Sequence, residues 1–296
     1  MSPRETIQSA LSLPRRRVMD FIALAKPELT LLSVLTAVGG AYLASATPST
    51  VLLHVFLGTL LVGGAAGTLN MVLEREYDAL MKRTAQRPIP SGRVSAREGA
   101  IAGSLLAATG ISYLYLMTNP VAALLAVLTL ATYLFLYTPL KRLTPFVTVV
   151  GAIPGALPPV IGWSAVTGSV DLSGLSLFAI LFFWQIPHFF SLAWIYRKDY
   201  EKGGFRMLTV VDTEGIVTGR QIVIYSLALI PASLLPTYLG MLGGLYFAGA
   251  LVISLGFLWF SLAMYRERST VAARRLFGAS LFYLPSLMAL MLLDRA

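Results

Sequence analysis

The chain has 296 residues, of which 56% are hydrophobic and 12% charged, with a mean hydropathy of +0.74 and a formal net charge of +9. Soluble domains carry about a quarter charged residues, so these figures exclude a soluble enzyme and a disordered chain. With no nucleic acid expected as a partner, the excess positive charge points to membrane orientation and an anionic substrate. Zero cysteines exclude a disulfide framework, a thiolate zinc site and a cysteine nucleophile, and two histidines are too few for a histidine metal cage.

A helix that crosses a bilayer needs roughly 20 apolar residues. Nine such runs follow in order: 29–46, 51–73, 99–117, 120–138, 145–163, 173–195, 221–240, 243–264 and 276–293. They predict an all-α integral membrane protein, a single bundle of nine transmembrane helices. Residues 1–28 form a basic N-terminal tail and 29–296 one membrane domain. A closed barrel would need short alternating segments instead. Every Lys and Arg except Arg295 lies in the tail or in the loops after the second, fourth, sixth and eighth runs. The positive-inside rule therefore places the N-terminus and these loops in the cytoplasm and the C-terminus outside; for a bacterial or archaeal source the membrane is the cell membrane, and a mitochondrial inner membrane is the alternative. The tail lacks a long apolar core and a small-residue cleavage site, so Arg15-Arg16-Arg17 reads as a basic segment at anionic headgroups rather than a signal.

The long loops 74–98 and 196–220 hold eight of the fourteen acids. In the first, Asn70, Glu74 and Asp78 recur every fourth residue, which puts three oxygen-bearing side chains on one face of a continuous helix. Lys82, Arg83 and Arg87 follow. Such a set suits Mg²⁺, which takes a few carboxylates and completes its shell with water and phosphate oxygens, while Lys and Arg hold the phosphate. A helix end turning wet is the plainer alternative. In the second loop Asp199 offers another ligand, and Lys198 and Lys202 further phosphate contacts. Both loops follow the end of a run on the same face, four runs apart, which hints at an internal repeat.

The segment Arg87-Pro88-Ile89-Pro90 reads as a rigid basic cap. The fifth run carries Gly151, Pro154, Gly155, Pro158, Pro159 and Gly162; a helix so broken either lines a cavity or kinks for packing. His188, in Trp184-Gln185-Ile186-Pro187-His188-Phe189, is an ionisable residue inside a span. It is suited to contact a planar substrate, ligate iron, shuttle a proton, or simply pack. His54 reads as interfacial.

The series Asn70, Glu74, Asp78, Met81-Lys82-Arg83-Thr84 and Arg87-Pro88 resembles the signature of the UbiA superfamily of intramembrane prenyltransferases. Further matches run from Lys26-Pro27 through Tyr137-Thr138-Pro139-Leu140-Lys141-Arg142, Gly155-Ala156-Leu157-Pro158-Pro159, Trp184–Phe189 and Asp199-Tyr200 to Tyr283-Leu284. Together they are most similar to the branch that farnesylates heme. Two positions depart from the superfamily pattern: Glu74 stands where Asp is usual, and Asp199 is followed four residues later by Gly203 rather than a second Asp. Arg206 is unexpected.

The resemblance implies Mg²⁺-dependent transfer of a farnesyl group from farnesyl diphosphate to the 2-vinyl of protoheme IX, within the lipid bilayer. Heme is then substrate, not cofactor. It implies Asn70, Glu74, Asp78 and Asp199 as Mg²⁺ ligands and Lys82, Arg83, Arg87, Lys141, Arg142, Lys198 and Lys202 as diphosphate ligands. His188 and Trp184 are expected on the porphyrin side, and a downstream heme-modifying enzyme or terminal oxidase assembly as a partner. A prenyltransferase acting on a quinone precursor or other aromatic acceptor stays open, as does a transporter of an anionic lipid-like solute.

Overall fold

The computed structural model describes residues 16–45 and 49–295. The first part of the basic tail, including Arg4 and Arg15, lies outside the described residues. Among those described, nine helices are long and apolar enough to cross a membrane. Spans 1 to 9 are Pro27–Ala44, Val51–Leu73, Ala96–Met117, Pro120–Leu140, Val147–Thr167, Leu172–Ile195, Ile216–Tyr238, Gly244–Glu267 and Thr270–Leu293. The expected number and order hold, and the expected ends shift by a few residues. Span 9 begins at Thr270 rather than 276 because Ser269 caps it, its side chain accepting from Ala272 N–H. An apolar run marks only the greasy part of a helix, whereas its cap marks where the helix starts.

Caps also set the other short turns. Asn119 accepts from Ala122 N–H ahead of Pro120, and Asp171 accepts from Gly174 N–H. Ser95 and Glu98 form a reciprocal capping box at the start of span 3. Residues 16–24 of the tail are helical, tied to the loop after span 2 by the Arg93–Asp20 pair at 2.8 Å and to the first turn of span 3 by an Arg17–Glu98 pair.

The spans form two groups. Spans 1 to 5 enclose one apolar core, around Ala37, Val55, Leu114, Ala126 and Ile161. Spans 6 to 9 enclose the other, with Ala152, Ala156 and Trp163 of span 5 built into it. Span 5 is therefore the shared wall. It breaks at Leu157 into Val147–Ala156 and Pro158–Thr167. Protein partners close that break. A Cβ on Gly162 would lie 1.7 Å from Ala37 O, and one on Gly40 2.1 Å from Pro159 O, so spans 1 and 5 touch backbone to backbone. Gln185 of span 6 donates to Ala152 O at 2.7 Å. The kink thus serves packing, and an apolar pocket lined by Gly40, Pro159, Ile180, Leu284 and Leu287 lies beside it.

Alternation of nine spans brings residues 16–26 and the loops after spans 2, 4, 6 and 8 to one end of the bundle. There a third apolar cluster of Met81, Val147, Ala193, Phe205 and Met207, with Tyr77, Tyr137 and Tyr200 against it, staples three loops together.

A buried ladder of carboxylates and cations

Asn70 lies in the last turn of span 2, and the helix breaks at Glu74 (φ −98°, ψ 6°) before a short turn, Arg75–Asp78. The expected single straight helix is therefore two pieces. The hydrogen bonds Glu74 N–H to Asn70 O (2.9 Å) and Asp78 N–H to Glu74 O (2.8 Å) bridge the break and preserve the every-fourth-residue spacing. All three side chains are buried, Asp78 to 1% exposure. Charged groups at such depth need partners, and each rung has a cation.

Lys26 Nζ donates to Asn70 Oδ1 at 2.8 Å, and Asn70 Nδ2 donates to Thr138 Oγ1 at 3.2 Å. Lys141 Nζ lies 2.8 Å from Glu74 Oε1 and donates to Oε2 at 3.1 Å. Arg87 donates to Asp78 Oδ2 at 2.7 Å. Burial first, and then the positive charges of Arg87 and Lys141, pull the Lys26 pKa down to about 7. Burial disfavours the Lys141 charge as well, but Tyr137 and Glu74 outweigh it and its pKa is raised. The Lys141 ammonium also sits 4.6 Å from the Tyr137 ring centroid.

Lys26 and Thr138 were not among the expected site residues. Lys26 is held in a left-handed conformation (φ 48°) as the residue before Pro27. Its signal in the sequence was a single lysine placed directly before a span. Span 4 delivers Tyr133, Tyr137 and Thr138 through a π-helical turn, Thr132–Tyr137, that stacks the two tyrosine rings 5.5 Å apart.

The other expected phosphate ligands are farther out. Arg142 lies 4.1 Å over the Tyr77 ring and bonds its hydroxyl, and Arg83 sits over Tyr196 and Tyr200. Lys82, Lys198 and Lys202 are exposed. Asp199 is half-buried on the helix Arg197–Lys202. Among the described residues no three His, Cys, Asp or Glu side chains converge, so Asp199 does not join Glu74 and Asp78 in one cage. The backbone gives Arg206 its place: its N–H donates to Lys141 O at 2.9 Å, tying the second loop to the end of span 4.

The donor set fits Mg²⁺. Glu74 and Asp78 supply carboxylate oxygens and Asn70 an amide oxygen, hard donors buried together at the end of span 2. A cation held by so few protein oxygens completes its octahedron with water and phosphate.

On the porphyrin-side candidates, Trp184 is buried and donates its Nε1–H to Ser280 O at 3.0 Å. It stacks on His188 and backs that ring rather than facing open space. His188 is partly exposed and bonds Ser280 Oγ at 2.7 Å. His54 bonds Tyr113 between spans 2 and 3.

Residues 33–287 match the sequence pattern of the UbiA prenyltransferase family. The chain is similar to the protoheme IX farnesyltransferase of Koribacter versatilis, with 44% identity over 98% of this chain and 99% of that one. It is likewise similar to that of Solibacter usitatus, with 46% identity over 93% of this chain and 98% of the relative. Among solved structures, one of digeranylgeranylglyceryl phosphate synthase superposes with a TM-score of 0.79 at 15% identity, covering 94% and 98% of the two chains. A UbiA homologue from Archaeoglobus fulgidus bound to DMAPP and Mg²⁺ superposes at 0.67 and 14% identity, covering 92% and 99%.

Proposed function

The chain belongs to the UbiA prenyltransferase family, and from that premise we propose that it transfers a farnesyl group from farnesyl diphosphate to the 2-vinyl of protoheme IX. The observation that carries this reading is the buried ladder, in which Asn70, Glu74 and Asp78 are each paired with Lys26, Lys141 or Arg87. A site that alternates buried oxygens and cations is preorganised for a metal–diphosphate, whose charge pattern is the same. Near-full-length similarity to protoheme IX farnesyltransferases supports heme as acceptor.

Asn70, Glu74 and Asp78 would hold Mg²⁺, with Asp199 offering a further carboxylate from the second loop. Bound there, the ion supplies the charge that stabilises the diphosphate as a leaving group. The chain's own residues do the rest. Lys198, Lys202, Lys82 and Arg83 draw the anion to the loops, and Arg142, Lys141, Arg87 and Lys26 take over its oxygens as the C1–O bond of the farnesyl group breaks. Tyr133 and Tyr137 present π faces beside the developing allylic cation and keep water away. The vinyl carbon attacks C1, and water completes a hydroxyethylfarnesyl side chain, its proton leaving to solvent.

The charged loops lie on the cytoplasmic side of the cell membrane, where the positive-inside rule puts them. The product passes to a heme-modifying enzyme or an oxidase assembly.

The test is a product assay: membranes containing the protein, protoheme, farnesyl diphosphate and Mg²⁺, with extracted hemes resolved by mass. A heme heavier by one farnesyl group plus water, absent in Asp78→Ala, is the expected result. Farnesyl diphosphate binding that requires Mg²⁺ without a new heme would move the acceptor to a quinone precursor or other aromatic. No binding at all would leave transport of an anionic lipid-like solute.

A further inference from the structure

His188 is held by three rings and one hydroxyl, with Phe189 meeting it at 5.3 Å and 65°. Trp184 and Phe277 stack on its two faces, with ring centroids 5.0 Å and 4.9 Å away and interplanar angles of 21° and 28°. Its Nδ1 meets Ser280 Oγ at 2.7 Å. The two faces are taken, so the ring cannot stack on a planar substrate. What it has left is an edge: Nε2 has no hydrogen-bond partner among the described residues, and the residue is partly exposed.

The hydrogen-bond inventory decides which nitrogen carries the proton. Ser280 Oγ lies 2.6 Å from Phe277 O as well as 2.7 Å from His188 Nδ1. A carbonyl cannot donate, so the one hydroxyl proton of Ser280 belongs to the bond with Phe277; otherwise two lone-pair oxygens would face each other at 2.6 Å. Ser280 Oγ is therefore an acceptor toward the ring. Nδ1 carries the proton, and Nε2 of the neutral imidazole keeps its lone pair. The same residue anchors the neighbouring wall, because Ser280 O accepts from Trp184 Nε1–H at 3.0 Å.

A neutral imidazole clamped on both faces, protonated at Nδ1 and free at Nε2, is an iron ligand held ready. We propose that Ser280 of span 9 is a positioning residue that fixes the His188 tautomer, so that Nε2 binds the iron of the heme substrate. The place is suitable. Little more than one turn beyond His188, Ala193 belongs to the cluster that Tyr77 and Tyr137 pack against under the carboxylate ladder. An iron–nitrogen bond at His188 fixes the height and tilt of the porphyrin, and so where its vinyl group stands relative to the allylic carbon. This inference rests on heme being the acceptor.

The experiment titrates the purified full chain with ferric protoheme and follows the optical and electron-spin-resonance spectra, with farnesyl diphosphate binding as the check on folding. Wild type gives saturable binding with an axial-nitrogen signature. His188→Ala loses the signature, and added imidazole restores it. Ser280→Ala weakens heme binding about 10–100-fold, the range for removing the group that orients a metal-binding histidine, while Ser280→Thr keeps a hydroxyl and recovers affinity. In the ferrous complex the iron–histidine stretching band, which reads the Nδ1–H bond, tests the tautomer in wild type without any variant.

An unchanged nitrogen signature in His188→Ala would overturn the ligand, and an unchanged affinity and spectrum in Ser280→Ala would overturn the positioning role. Saturable heme binding with no nitrogen signature would sink this inference alone. Wild-type protein that binds farnesyl diphosphate but no heme would take the acceptor reading down with it.

Discussion

The Arg87 guanidinium meets Asp78 Oδ2 at 2.7 Å, with the carboxylate side chain 2% exposed and the arginine 24%. Each therefore depends on the other: removing one strands a charge away from water. Arg87→Met should destabilise the protein by about 3–5 kcal/mol, the usual cost of breaking a buried pair. The double variant Asp78→Asn with Arg87→Met should regain most of that stability, because no unpaired charge remains. All three variants, the Asp78→Asn single included, should lack product. Thermal unfolding in detergent measures the first effect and the mass-resolved heme assay the second. A double variant no more stable than Arg87→Met would show that the pair is not what holds the loop.

Lys26 makes the corresponding contact to Asn70 from outside the motif, and it reaches in from a left-handed turn before Pro27. Lys26→Met keeps the stem and removes the charge. Below its lowered pKa of about 7 the amine is a charged donor, and a hydrogen bond to a charged donor contributes about 1.5–3 kcal/mol, so below pH 7 farnesyl diphosphate should bind roughly 10–100-fold more weakly, and the loss should shrink as the pH rises above 7. Heme binding should stay unchanged, because His188 is on another span. Isothermal titration with each ligand separates the two.

On the proposed reading the exposed lysines act at longer range. Lys198 and Lys202 lie on the second loop with no rung of the ladder to hold. Replacing both with Gln should lower kcat/KM a few-fold at low ionic strength, and the difference should vanish near 1 M salt, where the screening length is about 3 Å. Lys141→Met, which removes a donor from within the ladder, should instead reduce kcat about 10²–10³-fold at every salt concentration. A salt-independent effect of the Lys198/Lys202 change would place those side chains inside the site.

The contrast shows how far the sequence could be read. The nine spans were legible because a bilayer imposes both length and charge alternation, and the ladder was legible because Asn70, Glu74 and Asp78 are close in the chain. What joins them came from elsewhere: Lys26 from the tail side, Thr138 from the end of span 4, and beside it Lys141, which only the family resemblance had pointed to. Contacts across 44 or 67 positions leave no local pattern. Nothing in an apolar run announced the π-helical turn at Thr132–Tyr137 either, and the break at Glu74 was hidden by spacing that the two bridging hydrogen bonds preserve. The proline and glycine content of span 5 signalled a break but not its purpose, which depended on what spans 1 and 6 placed against it.

That purpose has its own test. A Cβ at Gly162 would lie 1.7 Å from Ala37 O, a backbone atom that cannot swing aside, whereas a Cβ at Gly256 in span 8 meets nothing within 4 Å. Both glycines sit in helices, where Ala is intrinsically favoured by about 1 kcal/mol. The two substitutions should therefore have opposite signs. Gly162→Ala must push spans 1 and 5 apart, at a cost of about 1–3 kcal/mol or more, and should lower the unfolding midpoint and the yield of folded protein. Gly256→Ala should leave the midpoint unchanged or raise it. Because span 5 is the wall shared by both helix groups and Gln185 bonds to Ala152 in that same wall, the Gly162→Ala protein that does fold should also bind heme more weakly. If Gly162→Ala proves as stable as Gly256→Ala, the backbone contact between spans 1 and 5 is not what fixes the kink.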